Sequence, residues 1–147
     1  MARCFEDYQA GEEIVSPGRT ITETDVVNFA ALTGDWNEIH SNEEFAKQGF
    51  YGRRIAHGAL IFSISMGLAA RNDRSRQPDL IAFYGLDRLR FVRPVFIGDT
   101  IRLRQTIHSL EPRDAKSGIV SITHEVLNQT DTLVIVYTAK LLVRRRA

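Results

Sequence analysis

Hydrophobic and polar residues follow two different periods along this chain, and the change falls near residue 80. Residues 14–21 read as a short strand. Thr22 with Asp25 three positions on makes a capping-box pattern, with Asp in place of the usual Glu. Val26, Val27, Ala30 and Ala31 then recur at helical spacing, and Gly34 supplies a stop. A second box, Ser41 to Glu44, predicts a short helix ending near Gly49. Residues 58–71, GALIFSISMGLAAR, are apolar on every side through Leu60, Ile61, Phe62, Ile64, Met66 and Leu68. A helix apolar all round is a buried one. At ~1.5 Å per residue it spans about 20 Å, enough to cross a small domain.

After a polar loop at 72–79 the period becomes two. Ile101, Leu103, Gln105 and Ile107 alternate with Arg102, Arg104, Thr106 and His108. Val120, Ile122, His124 and Val126 alternate with Ser121, Thr123, Glu125 and Leu127. Leu133, Ile135, Tyr137, Ala139, Leu141 and Val143 make the longest run. Turn residues at Gly98-Asp99, 114–118 and 128–131 read as hairpin signals, so the sheet is expected to be antiparallel. One buried helix with such a sheet gives an α+β domain, the sheet curled around the helix. No repeat or linker divides the chain, so residues 1–147 are read as a single domain.

Composition narrows the function classes. Apolar residues are 44% and charged residues 25%, which excludes whole-chain disorder. Nineteen Lys and Arg against eighteen Asp and Glu leave a net charge of +1, too little excess for a general nucleic-acid binder. The single Cys4 cannot form an internal disulfide, and no stretch reaches the ~18 apolar residues of a membrane span. Glu6, Asp7, Glu12 and Glu13 fit neither a secretory signal nor a basic transit peptide. These features lead to the expectation of a cytoplasmic protein in a reducing compartment, with no membrane or nucleic-acid partner.

The candidate chemistry lies in residues 29–46, FAALTGDWNEIHSNEEFA. Gly34 permits a sharp turn, which puts Asp35 and His40 on one short loop between two helices. A carboxylate and an imidazole that converge there suit general acid–base work near neutral pH. Asn37 can tie down the loop backbone with its amide. Four such residue types at fixed spacing arise by chance in a chain this long with odds on the order of one in a thousand, from average usage.

The motif Leu32-Thr33-Gly34-Asp35-x-Asn37-x-Ile39-His40-x5-Ala46 resembles the signature of the MaoC-like (R)-specific enoyl-CoA hydratases. Arg54-Ile55-Ala56-His57-Gly58-Ala59-Leu60 resembles the start of that family's central helix. Arg90-Phe91-Val92-Arg93-Pro94-Val95-x-x-Gly98-Asp99 is similar to a strand and turn of that family. The resemblance implies a hot dog fold, with residues 58–71 as the central helix, and a homodimer or higher homo-oligomer. It implies reversible hydration of a trans-2-enoyl-CoA to an (R)-3-hydroxyacyl-CoA, with Asp35 and His40 as the catalytic pair on a water. It gives the backbone N–H of Gly58 the thioester oxygen, and coenzyme A enters as part of the substrate, with no separate cofactor and no metal. A helix N-terminus suits that oxygen, because its N–H groups are unpaired where an enolate develops.

The chain departs from the family pattern at two positions. Glu38 replaces the usual Pro after the Asn, and is expected either to loosen the loop or to pair with a nearby Arg. Met66 stands where some hydratases carry a serine in the central helix. His57 is expected to cap that helix or to meet substrate, and Trp36 to wall the acyl pocket or pack the loop. Phe62, Met66, Phe83 and Tyr84 are candidate pocket residues. Among Arg88, Arg90, Arg93, Arg102 and Arg104, a subset led by Arg90 is a candidate for the coenzyme phosphates, the alternative being the solvent face of strands. The competing functions are a hot dog thioesterase, since one fold hosts both chemistries, and a non-catalytic acyl-binding partner.

Overall fold

In the computed structural model the described residues are 2–72 and 78–146, so most of the predicted loop at 72–79 lies outside them. A single 3-10 turn at Phe5–Asp7 opens the chain. Two short strands follow, β1 (Glu13–Val15) and β2 (Arg19–Thr20), in place of the one strand expected over 14–21. Pro17 interrupts that run, having no N–H to give a ladder, and the buried Ser16 stitches the break with its own backbone and hydroxyl to Leu103.

The helices come next. α1 (Glu23–Thr33) has the predicted box: the Thr22 side chain accepts from the Asp25 N–H, and the Asp25 carboxylate accepts from the Thr22 N–H. Gly34 closes it in the left-handed region at φ 78°, where a Cβ would be strained. α2 (Glu38–Ser41) is a single turn that the hydrophobic pattern did not reveal. It takes Ser41 into its own last position, so α3 (Glu43–Gln48) is capped by Asn42 and not by Ser41. Gly49 ends α3 as expected.

α4 (Gly58–Asn72) is the long helix. Leu60, Ile61, Ser65 and Leu68 are buried, but Ala59, Ser63, Gly67 and Ala70 are exposed. The helix is therefore not buried all round in the single chain; one stripe of small residues faces outward.

The sheet contains β3 (Leu80–Phe91), β4 (Thr100–Pro112), β5 (Ser117–Leu127) and β6 (Leu133–Arg144). Its order is β1-β4-β5-β6-β3, antiparallel throughout, with β2 also on β4. The turns at 114–118 and 128–131 join paired neighbours as predicted. Gly98-Asp99 does not, because β3 crosses to pair with β6; that turn is instead tied to Ile21, whose carbonyl accepts from the Gly98 N–H. Leu60, Ile61 and Leu68 pack against Ile101, Leu103, Val126, Ile135 and Tyr137, so the core lies between α4 and the curled sheet. This is the hot dog arrangement. It leaves the N-terminus of α4 at the edge of the core, beside the loop that carries residues 34–40.

Candidate active site

Asn37 builds the site from below. Its side chain accepts from the Ile39 N–H and caps α2. Glu38, the first residue of α2, favours the positive end of the helix and accepts from the Asn42 amide, so its partner is Asn42 and not an arginine. The single turn carries His40 inward, where it is 7% exposed.

Segment 55–57 meets it there. Ile55 donates its N–H to the Ile39 carbonyl, and Ala56 donates to Val95 at 2.8 Å. The Ile55 carbonyl lies 2.7 Å from His40 Nδ1. A carbonyl only accepts, so Nδ1 carries the ring proton and Nε2 keeps a bare lone pair. Burial pushes the His40 pKa below its ordinary value; the Ile55 carbonyl opposes that, and the neighbouring His57 adds to it. Asp35 also opposes the shift, but burial outweighs both, so the ring favours its neutral form, with Nε2 free to accept.

Asp35 sits across from it on an exposed loop. Its N–H donates to the Thr33 hydroxyl, and one carboxylate oxygen accepts from the Asn37 N–H. One carboxylate oxygen of Asp35 and one ring nitrogen each of His40 and His57 lie within 4.8 Å of one another. No metal was expected, yet among the described residues these three are the set whose ligand atoms lie close enough to hold a cation. The rings of His40 and His57 are stacked, with centroids 3.9 Å apart and planes 29° apart. Their in-plane lone pairs therefore run side by side and do not converge, and ligand atoms at ~2.1 Å from one ion would need the rings to turn.

Gly58 begins α4, so its N–H belongs to the first turn and has no partner within the helix. A Cβ at this position would lie 2.8 Å from the Phe91 ring, so that ring covers the helix start closely. Gly58 borders a cavity of about 390 Å³ with Tyr51, Ile55, Phe91, Arg93 and Ile135. Arg93, and not Arg90, lines it. Arg90 is exposed on β3 with its guanidinium on the Leu89 carbonyl. Arg102 and Arg104 pair with Asp131 and Glu125 on the sheet surface.

Met66 is eight residues further along α4, about 12 Å from Gly58 by helix rise. With Phe83, Leu80, Gln105 and His124 it lines a second cavity of about 290 Å³. Phe62 packs edge-on against Tyr137, and Tyr84 stacks under Arg113. Trp36 is 52% exposed and borders neither cavity.

The second cavity exposes a set of residues that sequence reasoning did not join. The Asn72 amide donates to Gln105 at 2.9 Å, and the Gln105 amide donates to His124 Nε2 at 3.2 Å. His124 Nδ1–H then donates to the Tyr137 oxygen at 2.7 Å, and Tyr137 O–H points to Ser65 at 2.8 Å. Ser65 ends the chain on the Phe62 carbonyl. The available signal was polar residues, Gln105 and His124, at inward positions of alternating strands.

Comparison with known proteins decides the family. A model described as a MaoC like domain matches residues 7–129. The chain belongs to the MaoC-like family. Protein MaoC of Klebsiella aerogenes is 42% identical over 102 residues, 69% of this chain, but this chain spans only 30% of that relative. An (R)-specific enoyl-CoA hydratase of Rhodospirillum rubrum is 38% identical over 74% of this chain and 72% of its own length. A structure described as a monoamine oxidase regulatory protein, from Archaeoglobus fulgius, superposes with a TM-score of 0.95 at 40% identity, covering 99% of this chain and 97% of that one.

Proposed function

We propose that this MaoC-like protein is a hydro-lyase that reversibly hydrates a trans-2-enoyl-CoA to an (R)-3-hydroxyacyl-CoA. One observation carries the reading: the His40 proton is held by the Ile55 carbonyl, which leaves Nε2 bare, and a nitrogen of that ring lies within 4.8 Å of an Asp35 carboxylate oxygen. Two acceptors without a donor between them suit one water molecule, which donates a hydrogen bond to each and gives up one of its protons to the pair as it adds. The water oxygen adds to C3. Charge moves to the thioester oxygen, where the Gly58 N–H and the positive end of α4 receive it. The pair then returns a proton to C2. Asp35 and His40 are five residues apart on one loop, so oxygen and proton reach the same face and addition is syn. The (R) outcome rests on the family resemblance.

In this reading the acyl thioester occupies the cavity at the start of α4, with Arg93 at its wall in the role expected of Arg90. No cofactor beyond the substrate's own coenzyme A is required. A second copy of the chain would add to β3, an edge strand that leaves Leu80, Ile81, Phe83, Tyr84 and Phe91 exposed. No helix among the described residues is long and apolar enough to cross a membrane.

The test is incubation with a panel of enoyl-CoAs, following enoyl absorbance and free thiol together, with the product made in D₂O. Loss of absorbance with a syn product supports the reading. An anti product removes the two-residue mechanism. Free thiol without a C3 alcohol assigns a thioesterase instead.

A further inference from the structure

We propose that His57 is a positioning residue that holds Asp35 and His40 in their working arrangement; this rests on the hydratase reading above. The expectation that His57 caps α4 is not what the structure displays. Its Nε2 lies 2.9 Å from the main-chain carbonyl of Asp35, twenty-two residues upstream. That carbonyl can only accept, so Nε2 carries the proton. Nδ1 is then an acceptor, and it is buried with no hydrogen-bond partner, so it caps nothing.

The residue makes two connections at once. Its donor fixes the backbone of Asp35, whose loop is otherwise exposed and held by Thr33 and Asn37. Its ring face lies on His40, at 3.9 Å between centroids, and its other contact is the Phe29 ring at 5.0 Å. His57 itself is 2% exposed and immediately precedes Gly58. One side chain therefore ties together the carboxylate loop, the imidazole and the helix start. A purely structural core position would be better filled by an apolar ring, because a buried acceptor left unpaired costs stability. The retained imidazole points to a task that needs the donor.

Two full-length variants separate the connections. His57→Phe keeps a ring for His40 to stack on and loses the donor. His57→Gln keeps an amide N–H near the Nε2 position and loses the ring. A small misplacement of a catalytic group costs about 10²-fold in rate. His57→Phe should accordingly lower kcat by about that factor, with KM and melting temperature close to the parent. His57→Gln should recover roughly tenfold of the loss. The charged or titratable groups facing His40 are His57 and Asp35. Removing the ring with Gln lessens burial and takes away one of these, so the NMR-measured pKa of His40 in the free protein should rise, and the acid limb of kcat/KM with it. The inference is overturned if His57→Phe keeps the parent kcat, if Gln is no better than Phe, or if the His40 pKa does not move in His57→Gln. If the parent protein hydrates no enoyl-CoA, the functional reading fails on that result, while the His40 titration still decides whether His57 acts on it.

Discussion

The two ends of α4 both bury histidine, and they bury it in opposite ways. At the C-terminal end His124 has a partner on each nitrogen, in a line from Asn72 to Ser65 in which every donor meets an acceptor. At the N-terminal end His40 Nε2 and the Asp35 oxygen not held by the Asn37 N–H are left as open acceptors, and His57 Nδ1 has no partner. A closed line of hydrogen bonds fixes a helix to a sheet. An open set of acceptors is where a reactant can enter. Polar burial alone therefore does not mark chemistry; the accounting of donors and acceptors does.

The largest test of that contrast lies at the open end. Asp35→Asn and His40→Ala should each lower turnover by roughly 10²–10⁴, the span for general acid–base groups. The double variant should fall little further, because the pair acts as one unit. Melting should change little in Asp35→Asn, whose side chain is exposed, and should fall in His40→Ala, which removes a buried ring stacked on His57. Steady-state kinetics with thermal melting checks all three.

Next comes the helix start. Gly58→Pro removes the N–H, and proline suits the first position of a helix. Gly58→Ala keeps the N–H but meets the same Phe91 ring. The Pro variant should lose ~10²–10³ in kcat relative to the Ala variant, the worth of one oxyanion donor. Equal kinetics in the two would remove this amide from the mechanism.

The closed end should respond in stability. Burial holds the His124 pKa down at about 4, against an ordinary 6.5. The unfolded chain therefore binds the extra proton first. The contribution of His124 is full above pH 6.5 and is lost as pH falls toward about 4, by about 3 kcal/mol at 1.36 kcal/mol per pH unit. Urea unfolding at a series of pH values should trace that fall, and His124→Gln should flatten it.

The smallest expected effect is Tyr137→Phe. It strands the His124 Nδ1–H and costs about 1–3 kcal/mol of stability. Turnover at a temperature where the variant is folded should stay near the parent value. A large loss of kcat there would join the two ends that the structure keeps apart.

Much of this was legible in the residues. The box at Thr22 and Asp25, the stop at Gly34 and the alternation in β4, β5 and β6 are local patterns, and each produced the element it predicts. The Asp35–His40 loop was legible for the same reason, being six consecutive positions. β3 was not, because at the sheet edge most of its side chains are exposed and only Leu86 and Leu89 among its leucines reach the core, and its register shifts between Leu80 and Ala82, Phe83 and Gly85, and Asp87 and Arg90. The ties from His57 to Asp35 and from His40 to Ile55 join distant positions through main-chain atoms. Side-chain identity carries no trace of such a bond.

Both ring protons at the open end are addressed by peptide carbonyls, those of Ile55 and Asp35. A peptide carbonyl does not titrate in the physiological range, is not removed by a side-chain substitution, and owes little to ionic strength. The proton addresses are thus written into the path of the chain. Replacing Ile55 by another side chain leaves its carbonyl in place. Lengthening the stretch between α3 and α4 by one residue would move that carbonyl away while changing no side chain at the site. The chemistry is insulated from drift in the surrounding residues and exposed to insertion and deletion, which makes the length of this connection, more than its composition, the quantity under constraint.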